Sequence, residues 1–314
     1  MRVFVTGAAG FIGSHVCERL VSRGHEVVGI DDLSTGSTAN LDGIDVRLVE
    51  GSILDPGALA DASAGADAVV HLAARPSVPR SIADPVASHE ANATGTLRVL
   101  EAARTLDDPI VVVASSSSVY GANPTLPKRE DLATQPLSPY AVSKLATEQY
   151  ALAWQHSYGM RTLAFRFFNV FGPRQAPGHA YAAVIPAFTH AALTGEPLTV
   201  HGDGTQSRDF TYVGTVTDVI VDAVERGVTC ATPVNLAFGS RTNLLEVIDR
   251  IADIVGHPLE RNHIATRPGD VPHSQADNTL LRSLFPDVAP VSLDDGLRAT
   301  VAWMRDYLIV PAST

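Results

Sequence analysis

The segment TGAAGFIG, from Thr6 to Gly13, constrains the fold of this chain more than any other. It follows a short apolar run, Arg2 to Thr6, that reads as a buried strand, and it opens a helical pattern that runs from Gly13 to Ser22. Gly7 permits a tight turn, Gly10 lets backbone approach a ligand closely, and Gly13 lets the helix pack against the strand. A strand, a glycine turn and a helix in this order aim the first N–H groups of the helix at one point, which suits a pyrophosphate. A glycine motif alone is weak; this strand-turn-helix setting makes it a dinucleotide site.

The rest of the first half repeats the alternation. Strands are expected at Glu26 to Asp31, Val46 to Glu50, Ala66 to Leu72, Ile110 to Ala114 and Arg161 to Phe167, and long helices at Asp84 to Leu106 and Pro139 to Tyr158. That pattern predicts an α/β fold, a doubly wound parallel sheet of Rossmann type. After Asn169 the texture changes to an irregular loop with Gly172, Pro173, Pro177 and Gly178. A helix at Tyr181 to Leu193, a strand at Leu198 to Val200 and helices at Thr242 to Val255 and Asp294 to Tyr307 follow. The expected division is a dinucleotide-binding domain over residues 1–168 and a smaller substrate lobe over 169–314. Strands near Phe210 and Val234 are expected to return to the first sheet.

Asp31 closes the second strand, where a carboxylate accepts hydrogen bonds from both ribose hydroxyls of an adenosine. It would repel a 2′-phosphate, so NAD is favoured over NADP. Tyr140 and Lys144 lie one turn apart on the same face of a predicted helix. Pro139 suits the start of that helix. The serine cluster Ser115 to Ser118 ends the fifth strand, at the edge where ligands of such sheets bind. An ammonium next to a positive nicotinamide would stabilise a tyrosinate and bring Tyr140 from about 10 toward neutrality. Tyr140 then serves as a base toward a sugar hydroxyl, with Ser116 as the hydroxyl that bridges the same oxygen. Ser117 and Ser118 are expected to line the sugar pocket.

Composition narrows the partners. The 314 residues carry a net charge of -11, which disfavours nucleic acid. The two cysteines, Cys17 and Cys230, make neither a disulfide framework nor a metal cluster. No apolar run approaches the ~20 residues of a membrane span, and no secretory segment is seen before the first strand, so a cytoplasmic location is expected.

These motifs together resemble the extended short-chain dehydrogenase/reductase family, and within it the UDP-sugar 4-epimerases. The resemblance covers nearly the whole chain, through TGAAGFIGSH, HLAARPSVPRSIADP, SSSSVYG, SPYAVSKLATEQY, RFFNVFGPRQ, HGDGTQSRDF and RPGDVPHSQAD. It implies NAD as cofactor, held by Gly7, Gly10, Phe11, Ile12, Gly13, Asp31, Asp32, Ser52, Ile53, Leu72, Ala73, Ala74, Asn92, Tyr140 and Lys144. It implies that Asn169 contacts the UDP diphosphate, that Arg208 and Arg267 reach the phosphates, and that Asp270 binds the uridine ribose. Leu198 to His201, with Val200 among them, would cradle the uracil. The implied reaction takes the 4-hydroxyl proton onto Tyr140 and the C4 hydride onto NAD⁺. The 4-keto sugar turns over, and the hydride returns to its other face.

Related activities on this fold need further groups. Sugar-nucleotide 4,6-dehydratases of the resemblance carry an Asp-Glu pair where this chain has Ser117 and Ser118, and the UDP-glucuronate decarboxylases carry a glutamate at Ser118. A catalytically silent NAD-binding protein of the same fold would lack Tyr140 or Lys144. By the resemblance a small gate residue, here Ser274, admits a 2-acetamido group, and Ser117, Ser118, Arg80 and Gln175 position the sugar. The expected substrates are therefore UDP-N-acetylglucosamine and UDP-N-acetylgalactosamine, with UDP-glucose also admitted. UDP-glucuronate remains an alternative through Arg75 and Arg80, whose guanidinium forks suit a carboxylate. Ser52 stands where many epimerases carry an aspartate, and Pro76 where some carry a lysine. By the resemblance the two long helices pair across a two-fold axis as a four-helix bundle, so a homodimer is expected.

Overall fold

The computed structural model describes residues 1–177, 183–266 and 271–309. The amino-terminal half alternates strand and helix: β1 (Arg2–Thr6), α1 (Phe11–Ser22), β2 (Glu26–Asp31), β3 (Val46–Glu50), α2 (Pro56–Ser63), β4 (Ala68–His71), α3 (Val78–Ala83), α4 (Pro85–His89), α5 (Gly95–Ala103), β5 (Ile110–Ser116), α6 (Pro139–Tyr158) and β6 (Arg161–Phe167). The remainder holds β7 (Asn169–Phe171), α7 (Val184–Thr194), β8 (Leu198–His201), β9 (Ser207–Arg208), β10 (Phe210–Tyr212), α8 (Val213–Arg226), β11 (Val234–Leu236), β12 (Thr242–Asn243), α9 (Leu244–Val255), β13 (Arg261–Ile264), α10 (Thr279–Leu284) and α11 (Leu293–Ile309).

Seven parallel strands form the main sheet in the order β11-β6-β5-β4-β1-β2-β3. The strand order reverses beside β1, so the segments leaving β1 and β4 diverge and open a crevice at their carboxyl ends. Both faces of the sheet are covered, which is why β1, β4 and β5 read as nearly unbroken apolar runs. One face packs Val16, Cys17 and Leu20 of α1 with Val216, Ile220 and Ala223 of α8; the other packs Leu59, Val99, Leu100 and Ala151. A separate core around Phe171, Ile185, Phe188, Val200 and Val247 holds the second lobe together.

Four elements differ from the sequence-based expectation. β5 runs on through Ser115 and Ser116, so the serine cluster begins inside the sheet rather than after it. The expected helix from Asp84 to Leu106 is α4 and α5 joined by a π-helical turn, Glu90–Thr94, with α3 as a separate turn before it. Phe210 does not return to the main sheet; β10 pairs in parallel with β7 instead, while Val234 does return, beside β6. Thr242 and Asn243 pair with β9, and the Asn243 side chain caps α9 through Glu246 N. Tyr181 lies outside the described residues, and α7 begins at Val184. No described helix is long and apolar enough to cross a membrane.

Candidate active site

A cleft of about 1610 Å³ runs along the carboxyl edge of the sheet and under the second lobe. Gly7 turns at φ +70°, a conformation that L side chains rarely adopt. A Cβ on Gly13 would stand 1.9 Å from the Gly7 carbonyl oxygen, so only glycine lets α1 start this close to β1. No side chain caps α1, unlike α6, whose Ser138 hydroxyl accepts from Ala141 N at 3.1 Å. The free N–H groups of α1 therefore remain for an anion.

Asp31, 9 % exposed, sits on the same cleft. Its Oδ2 accepts from Ala9 N at 3.0 Å and its Oδ1 from Leu33 N at 2.9 Å. Burial raises its pKa and these backbone donors oppose the rise. The remaining lone pairs suit ribose hydroxyls, and with Asp32 alongside they disfavour a phosphate. The residues thus fit NAD: a glycine turn for the pyrophosphate, a carboxylate for the ribose, and a wall of Ser52, Ile53, Leu72, Ala73 and Ala74. Ser52 is partly engaged, its hydroxyl accepting from Leu54 N at 3.2 Å.

Ser116, Tyr140 and Lys144 meet on this cleft where β5 ends against α6. The Lys144 ammonium donates to the Ala114 carbonyl at 2.8 Å. Burial lowers its pKa to about 8. Burial raises the pKa of Tyr140, and its hydrogen bond with Ser116 pulls it back. The downshift expected for Tyr140 therefore depends on the positive charge of a bound nicotinamide in addition to Lys144. The Ser116 hydroxyl donates to Ser118 Oγ at 3.1 Å and accepts from Ser118 N at 3.2 Å, so Ser116 and Ser118 are directly linked. Ser115 also borders the cleft, but its hydroxyl is committed to α6, donating to Glu148 Oε2 at 2.7 Å with the Lys144 carbonyl 3.1 Å away. Glu148 in turn holds Arg166 in a buried two-point ion pair, at 2.7 and 3.0 Å. Ser116 thus presents its hydroxyl to the cleft, while that of Ser115, its neighbour on a pleated strand, is anchored on α6.

Of the residues expected to hold substrate, Arg80, Ser117, Ser118, Asn169, Gln175 and Arg208 line the cleft. Arg267 and Asp270 lie outside the described residues. Val200 does not line the cleft: its side chain is fully buried in the core of the second lobe, while Thr199 and His201 on either side of it do. Strand alternation explains the swap, because in β8 the apolar Leu198 and Val200 must share the inner side. Asn92 is buried one layer behind the cleft wall, where its Oδ1 accepts from Arg75 N at 2.7 Å. Ser274 lies outside the cleft wall, its N–H donating to the Ser207 carbonyl at 3.0 Å.

The cleft also contains residues that sequence reasoning does not single out. Arg174 pairs with Glu18 at 2.9 Å, and Trp303 stacks on Tyr307 with centroids 5.0 Å apart. The two aromatics are one turn apart on α11, a spacing visible in the sequence, but nothing local says which way that face points. No group of three or more metal-ligating side chains gathers among the described residues.

Comparison with known proteins agrees with this architecture. The model of the NAD dependent epimerase/dehydratase family matches residues 3–237. A UDP-glucose 4-epimerase of Mycolicibacterium smegmatis is 38% identical over 98% of this chain and 99% of its own length. A probable UDP-glucuronate 4-epimerase of Rhizobium meliloti is 32% identical over 96% of each chain. Among solved structures, a UDP-N-acetylglucosamine 4-epimerase of Methanobrevibacter ruminantium, in complex with UDP-N-acetylmuramic acid, superposes with a TM-score of 0.92. It is 35% identical and covers 98% of both chains.

Proposed function

The chain belongs to the NAD-dependent epimerase/dehydratase family, and from that premise we propose that it is a 4-epimerase of UDP-N-acetylglucosamine and UDP-N-acetylgalactosamine that also admits UDP-glucose. The observation that carries the chemistry is the row Ser116, Ser117 and Ser118 beside Tyr140 and Lys144 on one cleft. Hydroxyls stand where elimination of water or loss of a carboxyl group would need carboxylates.

Tyr140 takes the proton of the sugar 4-hydroxyl and later returns it. Ser116 bridges the same oxygen and steadies its developing charge. Lys144, fixed by the Ala114 carbonyl, keeps a cation behind Tyr140. NAD⁺, when bound, supplies an acceptor for the C4 hydride and, once reduced, its donor. The α1 amino end and Asp31 hold it at its phosphates and ribose.

Two observations support the acetamido sugar. Ser117, Ser118 and Gln175 give the cleft wall small or neutral polar side chains. The similar solved structure bears the same substrate name. A second reading, UDP-glucuronate, rests on Arg80, which lines the cleft with no carboxylate partner among the described residues. Arg75 is a weaker candidate because Asp84 already pairs with it at 3.2 Å.

A substrate panel tests the reading. Purified protein with NAD⁺ is incubated separately with UDP-N-acetylglucosamine, UDP-glucose and UDP-glucuronate, and each mixture is followed by proton NMR. Conversion of the acetamido sugar at least as fast as glucose supports it. Conversion of glucuronate alone would transfer the assignment to Arg80 and overturn the preferred substrate.

The protein also carries exposed apolar side chains on neighbouring elements: Ile82 on α3, Val86 on α4 and Val142 on α6, with Leu137 just before α6. Such a surface supports a homodimer joined through these helices. Sedimentation equilibrium at the mass of two chains is the expected result, and a single-chain mass would refute it.

A further inference from the structure

Behind the cleft wall runs a buried chain of polar side chains that belongs to no step of the reaction. Thr6, His71, Thr96, Asn92, Thr147 and Ser143 are each at most 3 % exposed. Thr6 is the last residue of β1 before the glycine turn, and its Oγ1 accepts from Leu72 N at 3.2 Å and Ala73 N at 3.1 Å. The same hydroxyl lies 2.7 Å from His71 Nδ1. His71 Nε2 lies 2.9 Å from Thr96 Oγ1, and the Thr96 hydroxyl donates to the Asn92 carbonyl at 2.6 Å. Asn92 Nδ2 donates to Ser143 Oγ at 2.9 Å, and Ser143 donates to the Tyr140 carbonyl at 2.8 Å.

The proton count fixes the direction of this chain. A threonine hydroxyl has one proton to give. Thr6 already accepts from two backbone N–H groups, so its proton goes to Nδ1. Thr96 gives its proton to the Asn92 carbonyl, so it accepts from Nε2. Both contacts are satisfied at once only by a neutral ring protonated at Nε2. Burial drives the His71 pKa down to about 3, and the Lys144 ammonium acts in the same sense.

The two ends of the chain are the two halves of the site. Thr6 precedes Gly7, and Leu72 and Ala73 form cofactor wall; Gly7 and Ala73 are in contact, since a Cβ on Gly7 would fall 2.8 Å from Ala73 N. Asn92 and Ser143 hold the first turn of α6, which carries Tyr140. The Asn92 carbonyl lies in the π-helical turn Glu90–Thr94, four residues before Thr96. We propose that His71 is a positioning residue for the epimerisation, locking the cofactor turn to the Tyr140 helix through its Nε2–H tautomer; this rests on the function proposed above. It touches neither cofactor nor sugar. Its effect is on the separation between the hydride acceptor and the hydroxyl that loses its proton, where an error of one ångström costs on the order of 100-fold in rate.

The test has two parts, and only the second needs turnover. Protein labelled with ¹⁵N-histidine, assigned against His71→Asn, gives the ring nitrogens of His71 directly. Expected is one bare Nδ1 and one protonated Nε2, unchanged between about pH 5 and 8. A ring that titrates in that window, or one protonated at Nδ1, overturns the proposal whatever the enzyme acts on. His71→Asn keeps an acceptor for Thr6 and loses the donor to Thr96, while His71→Phe loses both. With the UDP-sugar that the wild type converts, kcat is expected to fall on the order of 10-fold in the first and 100-fold in the second, with KM for the sugar unchanged. NAD affinity, read by fluorescence of the bound reduced form, is expected to weaken in the same order. Variants that melt earlier but keep wild-type kcat and NAD affinity would show a purely structural histidine. A wild type that converts no UDP-sugar would defeat the proposed function, while the ring NMR and NAD affinity would still decide the role of His71.

Discussion

Lys144 Nζ donates to the carbonyl of Ala114 at 2.8 Å, tying the helix that carries Tyr140 to the strand that carries Ser116. In the proposed reaction Lys144 is therefore also the fastener that sets Tyr140 against Ser116. Its burial, at 5 % exposure, is a cost to the fold that the chemistry requires.

That cost has a pH signature. The folded-state pKa of Lys144 is about 8, below its ordinary 10.5. Between these values the unfolded chain binds more protons than the folded one, so stability rises with pH across that window and is lowest below about 8. Lys144→Met is expected to abolish turnover and to stabilise the fold near neutral pH by at most about 3 kcal/mol. Thermal melts from pH 7 upward check this; the variant should lose the alkaline gain that the wild type shows. A variant less stable than wild type at pH 7 would mean that the Ala114 hydrogen bond outweighs the desolvation.

Tyr140→Phe removes the proposed base and leaves its ring. A loss of about 10²- to 10⁴-fold in kcat is expected, with NAD affinity within a few-fold of wild type. Turnover and cofactor fluorescence measured on one preparation separate the two. A wild-type rate in this variant would remove Tyr140 from the reaction.

Asp31→Asn takes one negative charge from the ribose end of the cleft. NAD is expected to bind more weakly and NADP relatively better, so the ratio of their affinities should move toward NADP. Titration of both cofactors into the variant reads this ratio, and an unchanged ratio would place the adenosine elsewhere.

Glu148 and Arg166 are a buried pair, at 0 and 3 % side-chain exposure. Glu148→Gln leaves a buried guanidinium without its charge partner and is expected to cost on the order of 3 kcal/mol. Replacing both by apolar residues should cost less than the single change. Denaturant unfolding of the three proteins checks the order. The single variant should also lower kcat, because the amide keeps only one of the two oxygens that serve Arg166 and Ser115, which loosens the hold on β5 next to Ser116.

The sheet and the motif residues are legible in the sequence because each obeys a short-range rule. The glycine turn, the unbroken apolar strands and the Tyr140–Lys144 spacing all lie within one or two turns of chain. Val200 is misplaced by sequence alone because the choice of inner side in β8 depends on which face the second lobe buries, a fact set by residues far away in the chain. The π-helical turn at Asn92 has no signature in the local pattern of apolar residues, and the partners of its Asn92 side chain, Arg75 and Ser143, are 17 and 51 residues away in the chain. His71 reads in sequence as one more buried strand residue, and only the packing of β1, β4 and the Thr96 helix shows that both its nitrogens are committed.

In the proposed reaction C4 is inverted by removing a hydride and returning the same one. UDP-N-acetylglucosamine carrying deuterium at C4, or whichever UDP-sugar the panel shows to react fastest, is converted in ordinary water and the product examined by proton and deuterium NMR. Deuterium retained at C4 of the epimer, with no accumulation of reduced cofactor, is the expected result. Loss of the label to solvent, or no epimer from any UDP-sugar, would contradict the mechanism assigned to Tyr140, Ser116 and Lys144.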